Sequence, residues 1–267
     1  MAVQTDNKRL LFGFETHAPW PEGLPDEKTL KAKHRHLTLL YFGDVSYKKV
    51  HDQIRYMPKP LFRVGPVAIS DSCLCLPNRS PDIITWHVDP FGEDPINDYQ
   101  HTLVDYFAKH DYDFDKRKYI KHITLGKSAS LKKEMKKHFI PLPLYCSNLH
   151  LYESLKGDQY EPIWTYDLLP PFEEQEGGQF ILYGESFQQV FLNAQIALAF
   201  KFPELVPFLD ASYQVRNLHD GGIRLTTILN TAYRAIKIPI ERATFPDNGK
   251  QEKGILNWPL HVEYSSG

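Results

Sequence analysis

The chain has 267 residues, 31 basic and 33 acidic side chains, a net charge of −2 and 42% hydrophobic residues. That is enough for one large domain or two modest ones, and the charge balance excludes a bulk polycation, so any contact with nucleic acid must be local. Three cysteines, Cys73, Cys75 and Cys146, show neither a CxxC pair nor metal-ligand spacing, which points to a reduced cytoplasmic compartment. The N-terminal MAVQTDNKRL lacks an apolar or Arg-rich targeting pattern and no apolar run approaches a membrane span, so a soluble, unexported protein with no membrane partner is expected.

In chain order, residues 9–14 read as a short apolar strand and the Pro/Gly-rich APWPEGLPDE as a loop. A basic stretch, residues 31–35, leads into the strand HLTLLYFGDV. Ser46 is placed to cap a helix carrying Val50, Ile54 and Met57, which Pro58 and Pro60 stop. Residues 62–69, 73–76 and 83–88 read as strands. Ile96, Tyr99, Leu103 and Phe107 recur at helical spacing, predicting a helix over 96–109 packed on a sheet. The charged DYDFDKRK is a loop before a strand containing HITLGK, residues 130–138 read as a short basic helix, and residues 149–152 as a closing strand.

Two stretches carry chemistry. His36-Leu37-Thr38-Leu39 and His122-Ile123-Thr124-Leu125 are each His-x-Thr followed by an apolar residue. On a strand, His and Thr two apart share one face while the intervening residues bury the other. Each copy therefore offers one imidazole and one hydroxyl to the same side. Two copies facing each other across a groove bring two proton-transfer groups and two hydroxyl donors to one tetrahedral anion. An imidazole with an ordinary pKa near 6.5 accepts a proton or, when charged, donates one near neutrality. Hydroxyls stabilise the charge that grows on phosphoryl oxygens. No metal is needed in such a scheme, and no cofactor is expected. A single His-x-Thr is common in a chain with 12 histidines; a doubled one is not.

The half-chain resembles the two-histidine phosphoesterases, and within them the RNA 2′,3′-cyclic phosphodiesterases, also called 2′-5′ RNA ligases. The matching segments are RLLFGF, HLTLLYFGDV, HITLGK and LHLYESLKGDQYEPIW, spanning about residues 8–167. The resemblance implies an α/β (α+β) fold, with two pseudo-symmetric lobes of antiparallel sheet and helices around a central groove. It implies His36 and His122 as the acid-base pair, Thr38 and Thr124 as phosphate-binding hydroxyls, and Tyr41 and Lys127 as substrate-binding residues. Lys127 stands where the family has an arginine, keeping the charge and losing the bidentate fork. Tyr41, between Leu40 and Phe42, reads equally as a base-stacking ring or a core residue. The implied activity is hydrolysis of RNA 2′,3′-cyclic phosphate ends to 2′-phosphates. A small cyclic nucleotide, ADP-ribose cyclic phosphate or a 2′-5′ oligoadenylate is the rival substrate. The rival outside enzymes is a protein that holds an RNA end without cleaving it. His34 reads as a rim residue, and Lys132, Lys133, Lys136 and Lys137 as a solvated helix face that could also guide an RNA backbone.

Pro170-Pro171, the acidic Glu173 to Glu176 and Gly177-Gly178 read as a boundary, giving domains 1–169 and 170–267. Beyond it, residues 180–183 form a strand, Ser186 and Gln189 a capping box, and Phe187, Val190, Phe191, Ala194, Ala197 and Leu198 the apolar face of a helix. A second helix over 225–236 and strands near 242–245 and 260–264 follow. This smaller α/β tail resembles archease, through FEEQE, YGESFQQVFLNAQIALAF, RATF and LHVEY. Gly177-Gly178-Gln179-Phe180 stands where archease carries His-Thr-Ala-Asp, and only Glu263 falls at a family acidic position. No metal-dependent ligase activation is therefore expected, and the tail reads as a degenerate module that serves as a stabilising element or as the surface for an RNA-ligase or other protein partner.

Overall fold

The computed structural model describes residues 6–22, 24, 29–76, 83–114, 118–127, 132–156 and 158–265. Strands β1 (Asn7–His17) and β2 (His36–Ser46) pair antiparallel, with Gly13 opposite Thr38 and Glu15 opposite His36. Ser46 caps helix α1 (Tyr47–Ile54), its hydroxyl accepting from the Lys49 N–H at 3.3 Å. Strands β3 (Val67–Leu76) and β4 (Ile83–Pro90) form a second antiparallel pair. Helix α2 (Pro95–Ala108) has proline in its first turn and Asp94 as its cap, accepting from the Asn97 N–H at 3.0 Å. It buries Ile96, Tyr99, Leu103 and Phe107, the set whose spacing predicts it. Strand β5 (His122–Lys127), helix α3 (Lys132–His138), and strands β6 (Leu142–Leu155) and β7 (Gln159–Tyr166) complete the first half. The expected helix start at Ser130 lies outside the described residues, as do parts of the loops expected over 18–27 and 111–118.

The strand order is β1-β2-β5-β4-β3-β6-β7, and β6 also pairs with β1, so six strands close on themselves with β7 along β6. The beginning of β6 pairs with β3, and its later part lies between β1 and β7. One lobe is therefore β2-β1-β6-β7 and the other β5-β4-β3 with the start of β6. This is an α+β fold of antiparallel sheet and covering helices. Leu10, Phe12 and Phe14 of β1, with Leu37, Ile123 and Leu125, enter one core with Ile96, Leu103 and Phe107 of α2. Alternation along the strands then turns Glu15, His36 and His122 to the opposite face.

In this half of the chain three expectations change. Residues 62–69 and 73–76 are not two strands: residues 67–76 form one, and the polar Ser-Asp-Ser is absorbed by an irregularity between Ser70 and Ser72. The closing strand starts at Leu142 rather than at 149. Its alternation is hidden in the sequence because both faces are covered: Leu142, Leu144 and Cys146 enter one core while Tyr145 packs against the other. The strand over 159–166 has no counterpart among the expected elements.

Strands β8 (Phe172–Glu174) and β9 (Phe180–Gly184) follow, then helices α4 (Phe187–Lys201) and α5 (Leu218–Ile236), and strands β10 (Ile240–Thr244), β11 (Lys250–Glu252) and β12 (Ile255–Tyr264). They form a sheet of order β10-β12-β9-β8 with β11 on β12. Gly177 and Gly178, at φ of 70° and 74°, lie in the turn between β8 and β9. Ser186 caps α4, accepting from the Gln189 N–H at 3.1 Å. Helix α5 begins two turns earlier than expected because Asn217 caps it, accepting from the Asp220 N–H at 2.9 Å. Gly221-Gly222 conceals those turns in the sequence, and a Cβ at Gly221 would meet the Phe191 ring at 3.2 Å. Helix α4 has no solvent face between Val190 and Ala199. The core around it includes Val67 and Phe91 from the first half, so this helix is packed by both sheets.

Candidate active site

Strands β2 and β5 meet antiparallel at Leu37 and Ile123, the residues between His and Thr in each motif. Continuing this register sets His36 opposite Thr124 and Thr38 opposite His122, related by a local two-fold through that pair. Leu37 and Ile123 are fully buried, so all four polar side chains fall on the other face. All four, with Tyr41 and Lys127, line one cavity of about 740 Å³. Each sequence-predicted site residue is thus brought to a single groove.

The two histidines are held alike. His36 Nδ1 lies 2.9 Å from the carbonyl oxygen of His34, and His122 Nδ1 lies 2.7 Å from that of Ile120, in each case two residues upstream. A carbonyl only accepts, so each ring donates through Nδ1 and proton exchange falls to Nε2. His36 is 6% exposed. Burial pushes its pKa down to about 4; the His34 carbonyl opposes this, and the nearby His122, His34 and His150 add to it. Burial also lowers His122, with the Ile120 carbonyl opposing and His87, its neighbour across β4, adding.

Tyr41 is 54% exposed. It is therefore not a core residue. Lys127 forms an ion pair with Asp158 in the β6–β7 turn. Burial is the largest single influence and works against its charge, but the bond and charge of Asp158, together with Tyr160 and Tyr41, leave the pKa raised. His34 lies in a short 3-10 turn, not on the strand, and contributes its carbonyl to His36 rather than a groove-lining ring. Lys133, Lys136 and Lys137 are exposed on α3 and do not line the cavity; the Lys132 side chain lies outside the described residues.

Sequence reasoning missed several groups. Tyr160 packs edge-on against the His36 ring with centroids 4.4 Å apart, and Tyr152 packs at 5.1 Å. Both belong to the LHLYESLKGDQYEPIW segment, whose tyrosines are visible in the sequence but without a role. Glu15, opposite His36, accepts from the Ser147 hydroxyl at 3.0 Å and lies 3.7 Å from both His17 and His150. The His150 contact, against burial, holds its carboxyl below the usual range, with His17 and Ser147 contributing. The mostly buried Arg35 donates from Nε to the Leu30 carbonyl at 3.0 Å and covers the Trp20 ring, which fixes the chain just before His36. Among the described residues no three His, Cys, Asp or Glu side chains converge as a metal site.

The chain is similar to a solved phosphoesterase. With that crystal structure it shares 21% identity and a TM-score of 0.46, over 61% of this chain and 99% of the other. E. coli LigT complexed with 3′-AMP is 19% identical with a TM-score of 0.44, over 61% of this chain and 98% of that one. The Thermus thermophilus protein TT0787 is 16% identical with a TM-score of 0.45, over 60% and 97%. No protein family matches the chain by profile, and no curated protein matches it in sequence. The archease resemblance of residues 171–267 rests on the segments quoted above.

Proposed function

We propose that the protein is a phosphodiesterase that opens RNA 2′,3′-cyclic phosphate ends to 2′-phosphates by paired-histidine acid-base catalysis. The observation that carries this reading is the antiparallel meeting of the two His-x-Thr motifs in one cavity, each imidazole held by an Nδ1–H bond to a backbone carbonyl. One Nε2 takes a proton from water as the water oxygen attacks phosphorus. The P–O3′ bond breaks, and the protonated Nε2 of the other ring supplies the proton to O3′. Thr38 and Thr124 donate to the non-bridging oxygens, whose charge grows in the transition state. Tyr41 offers a solvent-facing ring for a base, and Lys127 a cation at the groove edge.

The active form of the pair carries one proton. With His36 titrating near 4 and His122 lowered from its ordinary value, kcat/KM, which reports the free enzyme, is bell-shaped: it rises as pH increases through about 4 and falls as pH increases through the lowered pKa of His122. Either His36→Ala or His122→Ala lowers turnover of a cytidine 2′,3′-cyclic phosphate end by about 10² or more, with the far-UV circular dichroism retained. Full activity in both variants overturns the reading. Tight binding of a 2′-phosphate end with no turnover of the cyclic form would place the protein among RNA-end binders instead.

A further inference from the structure

Described residues of the β6–β7 connection contact both β5 and β2. Asp158, in the left-handed region at φ 57°, pairs with Lys127 of β5, and Tyr160, two residues on, packs against His36. The Tyr160 N–H also points to His34 Nδ1 at 3.5 Å. Lys127 lines the cavity and Asp158 does not. Arg9 repeats the pattern: it lines the same cavity and is bonded at 3.0 Å to Asp44, which does not. Two of the cations that line this groove are thus each paired with a carboxylate that does not line it. A backed cation attracts as a dipole, so its pull on an anion is weaker and shorter-ranged than that of a full charge.

That matters for the reaction proposed above, on which this inference rests. The cyclic diester carries one negative charge, whereas a phosphate monoester, with a second pKa near 6, carries close to two at neutral pH. An unbacked lysine would favour the product over the substrate. We propose that Asp158 is a specificity-determining residue that moderates the charge of Lys127, so that the groove accepts a monoanionic cyclic phosphodiester and releases the dianionic monoester. Asp158 touches neither reacting atom and acts through Lys127.

The experiment compares wild type with Asp158→Asn, which keeps an oxygen for the lysine ammonium and removes the charge. At pH 7.5 and low salt, KM for cytidine 2′,3′-cyclic phosphate and the inhibition constant of cytidine 2′-phosphate are measured together. The inhibition constant is expected to fall about fivefold more than KM, and the difference to shrink in 0.5 M salt, because both partners are partly exposed. Adding Lys127→Met to Asp158→Asn should abolish the difference. Equal changes in the two constants, or the same difference in the double variant, overturn the inference. Absence of turnover by wild type would instead overturn the reaction on which it rests.

Discussion

At the scale of single residues, the imidazole environments decide what the groove can do. His36 is nearly closed off by Tyr152, Tyr160 and its own backbone bond. Its folded pKa, near 4, lies below the unfolded value of 6.5, so the unfolded chain binds the extra proton between those values. The stability contributed by the neutral ring is complete above about pH 6.5 and is lost as pH falls towards 4, amounting to roughly 3 kcal/mol. His36→Gln should therefore flatten the fall of melting temperature between pH 6.5 and 4, measured by calorimetry; an unchanged slope contradicts this burial. The histidines and threonines were legible because chemistry and strand period coincide in four residues. Glu15 was not, since an acidic residue near a strand end reads as solvent-facing until the register places it opposite His36.

At the scale of elements, the site depends on how closely β1 lies against β2. A Cβ at Gly13 would sit 2.9 Å from the Leu37 carbonyl oxygen and 3.4 Å from the His36 ring. Because the nearer atom is backbone, Gly13→Ala should force the strands apart. We expect a loss of about 1–3 kcal/mol in urea unfolding together with reduced turnover; unchanged values for both would show that β1 tolerates the extra carbon. Helices α1 and α2 were legible from caps and apolar spacing. Strands β6 and β7 resisted: the first is covered on both faces, and the second, QYEPIWTY, carries a proline and a polar alternation typical of an edge.

At the scale of the whole molecule, the boundary near residue 170 separates two sheets but not two independent cores. Val67 and Phe91 lie in the core built around α4, with Tyr145 packed against it. Arg63 donates to Glu185 at 3.1 Å and to the Lys253 carbonyl at 2.6 Å. A Cβ at Gly92, at φ 106°, would meet the Leu192 side chain at 2.6 Å, a measure of how tightly the halves fit. Urea unfolding followed by tryptophan fluorescence and far-UV circular dichroism should give one coincident transition, and a chain ending at residue 169 should aggregate through its exposed apolar strip. Two separated transitions would instead establish autonomous domains. The sequence pattern of α4 suggested a single apolar face because an all-round buried helix and an amphipathic one share the same i, i+3, i+4 hits. The most direct test of the account is a crystal structure with cytidine 2′-phosphate bound. Nε2 of both His36 and His122 should lie about 2.6–3.2 Å from oxygens on the same phosphorus, directly or through one water; a phosphate bound elsewhere, or reached by only one ring, contradicts it.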